Sequence, residues 1–247
     1  MLDLLYKIIA IICSIILLFC SCVHNSAIDD IEVERIDKLD ICSEYMIVLN
    51  EYLSLVDNLF LDSFEDDVNW GRYKSPEPEL QYEWQCMVID AKEGLINKST
   101  SSFGYALKDI NSDNKEELIL LRDDYYFLAI FTIEANKAKL LDAFWYKHKG
   151  MILESGELFT LTISGSDYYE YNVKLLNPEN NELSVIRKLV REDTLCYEFT
   201  SQGKKFLEKN SFDMMVSQYP NISSDEKKTY MVSNGIDFVS IETIRDR

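Results

Sequence analysis

Phe103–Leu121 reads F-G-Y-A-L-K-D-I-N-S-D-N-K-E-E-L-I-L-L. Two apolar arms of strand-like composition flank a polar loop. In the loop Asp109, Asn111 and Asp113 fall on alternate positions and Glu117 follows four residues later. Counting Asp109 as one, side-chain oxygens stand at positions one, three, five and nine, and the carbonyl of Lys115 falls at seven. Such oxygens converge on a hard cation when the loop turns tightly, with calcium the natural occupant. Position six must tolerate a left-handed backbone, and Asn114 is the best residue for that after glycine. An EF-hand needs an acid at position twelve; Leu120 stands there inside an apolar run. The same residues also read as a polar turn whose Asp and Asn side chains satisfy nearby backbone N–H groups. Either way the stretch is a strand, a loop and a strand.

Away from this stretch the periodicity divides the chain. On the N-terminal side, Ile41, Tyr45, Val48, Tyr52, Val56 and Leu59 recur at helical spacing within 31–60, as do Leu80, Trp84, Met87, Ala91 and Leu95 within 79–96. Between them, D-S-F-E-D-D-V-N-W-G-R-Y-K-S-P-E-P-E carries Gly71, Pro76 and Pro78 and reads as a connection. On the C-terminal side the period becomes two. Phe159, Leu161 and Ile163 alternate with Leu158, Thr160 and Thr162, and Tyr169, Tyr171 and Val173 with Glu170, Asn172 and Lys174. Turn-like breaks fall at E-A-N-K (134–137), K-H-K-G (147–150), S-G-S-D (164–167), N-P-E-N-N (177–181) and R-E-D-T (191–194). Residues 103–200 are expected to form one antiparallel sheet of about seven strands.

After Gly203 a helix is expected with Ser211 as its cap, running through Met214 and Met215 and stopped by Pro220. Another follows a cap at Ser223 or Ser224, and the final G-I-D-F-V-S-I-E-T-I reads as a strand or packed extension. The expected class is α+β: N-terminal helices, a central antiparallel β-meander and short C-terminal helices.

With 47% hydrophobic and 12% aromatic residues, the 247-residue chain can build a sizeable core. The 43 acidic against 25 basic side chains give a net charge of -18, and no basic stripe is present, which excludes a nucleic-acid partner. Cys42, Cys86 and Cys196 are scattered, and with two histidines in the chain a zinc site is not expected.

Met1–Ser21 places Lys7 before an unbroken apolar run, Ile8–Cys20, of signal-segment length. The run stops at Ser21-Cys22 and passes into V-H-N-S-A-I-D-D-I-E. This junction resembles the lipobox of bacterial lipoproteins, with Phe19 where such boxes carry leucine and Cys20 in place of a small residue. The resemblance implies that Cys22 is lipidated and becomes the new N-terminus, holding the body at the cell membrane facing the exterior. A thioether-linked lipid plus an amide-linked acyl chain supplies the two hydrophobic signals that stable anchoring needs. An uncleaved signal anchor and plain secretion are the alternatives. The organisation expected is a lipoprotein-type signal peptide (1–21), a linker (22–30), a helical segment (31–100) and a sheet with C-terminal helices (101–247), with 31–247 one compact unit.

The D-I-N-S-D-N-K-E-E loop resembles the calcium loops of FG-GAP repeats in integrin-type propellers. More closely, it resembles a Y-A-L-x-D-I-D/N-x-D-G-x-x-E-L-I pattern of uncharacterised surface lipoproteins of clostridia-like bacteria. The likeness continues into S-G-E-L-F-T-L-T-I-S-G-S-D-Y-Y-E-Y-N-V-K-L-L, with Asn111 and Asn114 departing from the pattern's Asp and Gly. It implies a fold and a location, and a structural calcium site on Asp109, Asn111, Asp113, Lys115 and Glu117.

For catalysis the sequence offers little. His24 falls in the linker, and His148 sits in K-H-K-G without a serine or cysteine motif, so a lone loop histidine is expected. Carboxylates such as Glu154 and Glu157 are too abundant to single out. The expected function is non-enzymatic binding of a protein or polysaccharide, by a surface carrying Tyr125, Tyr126, Trp145, Tyr168 and Tyr169. A surface hydrolase using acidic residues is the alternative.

Overall fold

The computed structural model describes residues 41–59, 78–93, 99–200, 202–222 and 226–245. The signal segment, the linker and most of the connection before Pro78 lie outside the described residues. The chain divides into two units, Met1–Cys42 and Ser43–Arg247, and every element below belongs to the second.

Among the described residues two helices come first, α1 (Ser43–Leu59) and α2 (Pro78–Glu93). Proline suits the first helical position of α2, where its missing N–H has no intrahelical partner in any case. The three-and-four spacing becomes one buried stripe on each: Tyr45, Val48, Leu49, Tyr52 and Val56 on α1, and Trp84, Met87, Val88 and Ala91 on α2. Ten strands follow: β1 (Phe103–Lys108), β2 (Glu117–Arg122), β3 (Phe127–Glu134), β4 (Lys137–Ala143), β5 (His148–Ile152), β6 (Leu158–Ser164), β7 (Tyr168–Leu176), β8 (Leu183–Glu192), β9 (Leu195–Thr200) and β10 (Gly203–Leu207). Two short helices, α3 (Lys209–Val216) and α4 (Lys227–Ser233), precede β11 (Val239–Ser240) and a 3-10 turn at Ile241–Ile244. The architecture is α+β with antiparallel meanders, as expected from the change of period.

The meander is not one sheet. It is broken into a five-stranded sheet ordered β11-β1-β2-β3-β4 and a six-stranded sheet ordered β10-β9-β8-β7-β6-β5. The change of sheet falls between β4 and β5, where the chain makes only an isolated bridge, Trp145 to His148. Of K-H-K-G only Lys147 is in the turn; His148–Gly150 open β5. Gly150 serves close packing here: a Cβ on it would lie 2.4 Å from the Phe144 ring. The other four breaks are turns, and left-handed Ala135 and Asn136 close the β3–β4 hairpin.

In the five-stranded sheet β1 and β2 are buried on both faces, which is why E-L-I-L-L reads as an apolar run without alternation. One face meets the helices, with Tyr52 edge-on to Phe103 and Trp84 edge-on to Phe131. The other contributes Ala106, Ile119, Leu121 and Ile130 to a cluster shared with Phe159, Leu161 and Val173 of the second sheet and with Ile222, Met231 and Ile236. A smaller cluster joins Leu189, Cys196 and Leu207 to Phe212 of α3. Ser211 lies inside α3 and its cap position is Glu208; Ser223 and Ser224 lie outside the described residues. Cys42, Cys86 and Cys196 are free thiols.

Candidate functional site

The β1–β2 loop holds itself together through its own side chains. Asp109 accepts from the N–H of Asp113 at 3.2 Å and of Asn114 at 2.9 Å. Asn111 accepts from Asp113 N–H at 3.1 Å, and Asp113 from Lys115 N–H at 2.8 Å. Ser112 and Asn114 take left-handed backbone, φ 61° and 66°, so the tight turn foreseen at position six is formed. Tyr45 of α1 pins the loop's exit by donating to the carbonyl of Glu116 at 2.9 Å.

Glu117 does not join these groups. It opens β2 opposite Lys108 and is 1% exposed. One carboxylate oxygen accepts from Ile110 N–H and the other from the Thr132 hydroxyl, each at 3.1 Å. Burial pushes its pKa up to about 7, against the two hydrogen bonds that favour the charged form. Asp109, Asn111 and Asp113 ring the loop while Glu117 is turned into the sheet, and Lys115 contributes its N–H inward to Asp113. Among the described residues no three His, Cys, Asp or Glu side chains are grouped to hold a metal. In this arrangement the side-chain oxygens of Asp109, Asn111 and Asp113 accept from the loop's own N–H groups, and those of Glu117 from Ile110 and Thr132. They form a polar turn above a buried acid.

A second cluster was invisible in the sequence. Asp142 of β4, His148 of β5, Thr162 of β6 and Lys174 of β7 meet where the edge of the five-stranded sheet crosses one face of the six-stranded one. His148 is buried, with Nδ1 2.7 Å from the Thr162 hydroxyl and Nε2 3.3 Å from Asp142. The other Asp142 oxygen accepts from Lys174 Nζ at 2.6 Å. Phe144 stacks on the imidazole, 5.3 Å between centroids at 9°. Burial pushes the Asp142 pKa up, but Lys174 and His148 outweigh it and hold the carboxyl well below the usual carboxylate range. Register extends the polar row, pairing Thr160 with Asn172 and Thr162 with Glu170. Glu170 is bound in turn by Asn172 at 3.0 Å, Tyr168 at 2.6 Å and Lys188 at 2.8 Å.

Hydroxyl, imidazole and carboxylate follow one another here in the order of a nucleophile, a base and its orienting acid. In a working triad, however, the carboxylate is kept for the imidazolium that forms during reaction, whereas here Lys174 already neutralises it. With all four members on strands and Asp142 and His148 buried, the cluster acts as an ionic tie between the sheets. A buried, strand-borne histidine carries no sequence motif. The only available signal was the alternation of His148 with Lys149 and Gly150, which the turn-like composition of K-H-K-G concealed.

The expected aromatic surface is dispersed. Tyr125 is buried in the core, Tyr126 lies under the Arg122 guanidinium, and Trp145 donates to Glu83 of α2. Tyr168 and Tyr169, being consecutive on β7, face opposite sides of the sheet. No model of a protein family matches the chain, and neither a curated protein nor a solved structure does.

Proposed function

We propose that the chain is a lipid-anchored extracytoplasmic binding protein, held to the membrane through Cys22. The observation that carries this reading is the N-terminal sequence: Lys7, an uncharged apolar run from Ile8 to Cys20, then Ser21-Cys22 and an abrupt change to polar, acidic residues. The run is shorter than the roughly 20 residues a spanning helix needs. The strongly acidic body suits a solvated exterior protein. Binding is favoured over hydrolysis because the side chains that resemble a catalytic row are spent in tying the two sheets.

The test is metabolic labelling with a radioactive fatty acid. Label is expected on the full chain and is expected to vanish in Cys22→Ala, with the body released from membranes. Label that persists in Cys22→Ala overturns the reading.

A further inference from the structure

Lys227 is the first residue of α4 and is 7% exposed. A lysine is almost never covered so deeply without an opposite charge beside it. Among the contacts the described residues show, its amine meets rings alone: Nζ lies 5.6 Å from the centre of Tyr126 and 5.4 Å from that of Phe127. A ring attracts an ammonium, but far less strongly than the water that burial has removed.

The charged groups around it do not make good the loss. From the turn after β2, Asp124 attracts the amine, but Arg122 already holds that carboxylate at 2.8 and 3.2 Å. Arg122 also lies over the Tyr126 ring, at 4.4 Å, and both it and Lys149 of β5 repel a further cation. Tyr126 stays a neutral phenol, its pKa pushed well up by burial. Next to Lys227 in the chain, Lys228 turns to Tyr125 and Glu226 is exposed. Burial therefore drives the Lys227 pKa down to about 7.

The segment that carries Lys227 is lightly built. α4 has seven residues and no side-chain cap, and it leads through buried Met231 and Ile236 to β11, whose two residues pair with β1. The amine sits at the head of the helix, so lifting α4 and β11 returns it to water and leaves β1–β10 paired. We propose that α4 and β11 form a lid that proton uptake by Lys227 loosens, so that mild acid uncovers the outer edge of β1 at Gly104 and Tyr105. In the closed lid the amine is neutral above about pH 7, whereas in the open lid it is an ordinary lysine, protonated below about pH 10. The open form binds the extra proton, so its share grows as pH falls from about 10 to about 7 and then levels off.

The experiment follows amide hydrogen exchange of the full chain in detergent at about pH 6.5 and about pH 8.5, with exchange times corrected for the intrinsic rate. Amides of 227–240 are expected to open at lower cost than those of β6–β8, and about tenfold to thirtyfold more often at the lower pH. Lys227→Met keeps a straight side chain of similar length without the amine and should abolish that pH dependence. Opening of 227–240 only together with β6–β8, no pH dependence in the parent, or the same dependence in Lys227→Met overturns the proposal. Competitive acetylation of the parent, read by mass spectrometry across pH, decides even if the variant does not fold. Lys227 is expected to titrate with a midpoint near 7, and a midpoint at the ordinary lysine value overturns the lid's proton switch.

Discussion

The β1–β2 loop and the Asp142 cluster are both acidic polar sites, but they are built in opposite ways. In the loop, Asp109, Asn111 and Asp113 stand within five residues and bond to N–H groups two to five residues away. In the cluster, Asp142, His148, Thr162 and Lys174 come from four strands and two sheets. The loop's bonds are local and mostly reach solvent, so each contributes about the 1 kcal/mol of an ordinary hydrogen bond. In the cluster the Asp142 carboxylate is buried and Lys174 partly so, so each leaves a large penalty if its partner is taken away. A motif written in consecutive residues marked where the chain turns, while the larger electrostatic stake lay where topology brought distant residues together.

Removing the cluster's shared carboxylate is the hardest blow to this contrast. Asp142→Ala is expected to lower stability by about 3 to 5 kcal/mol in denaturant unfolding, since Lys174 is left without its carboxylate. Adding Lys174→Met should recover part of the loss. A cost under about 1 kcal/mol for Asp142→Ala alone would erase the difference between the two regions.

Glu117, at the foot of the loop, tests how far burial reaches. Its pKa is raised in the fold, so below about pH 4.5 the acid is protonated both folded and unfolded and contributes no pH dependence. As pH rises from there to about 7, the unfolded chain ionises first and stability falls, by up to about 3 kcal/mol, then levels off. Glu117→Gln should flatten that decline and be more stable than the parent at pH 8. A parallel decline in the variant would show that Glu117 is not its source.

The smallest effect belongs to the loop itself. Asp109→Ala strips acceptors from the N–H groups of Asp113 and Asn114 and should cost about 1 kcal/mol. Millimolar calcium is expected to leave the melting temperature of the parent unchanged. A rise that disappears in Asp113→Ala would instead make the loop a metal clasp and bring Glu117 outward as a ligand.

Much of the fold was legible because burial in this chain is often one-sided. The stripes of α1 and α2 follow helical spacing closely, and the alternation of apolar and polar residues in β6 and β7 marked them as strands. The division into two sheets was not legible. At the change of sheet Phe144 lies over Gly150, and a glycine chosen for close approach looks in sequence like a glycine chosen for a turn. The loop was found because its ligand-like residues are neighbours, and its turn at Asn114 formed as read. What the spacing could not convey was that Glu117, as the first residue of β2, has its direction set by the pleat rather than by the loop. His148 was hidden for the converse reason: its partners Asp142, Thr162 and Lys174 become neighbours only after three changes of chain direction.

The seating of β11 against β1 sets a timetable as well as a shape. Gly104 lies opposite Ser240, and a Cβ there would lie 2.3 Å from the carbonyl of Val239 and 2.5 Å from the Phe238 ring. β1 is thus completed by residues far along the chain. Without them β1 presents an unpaired, apolar edge, the kind that recruits other chains. A closure over so long a range is slow by nature. Loss of the last ten residues would leave a chain with most of its secondary structure and a standing invitation to aggregate.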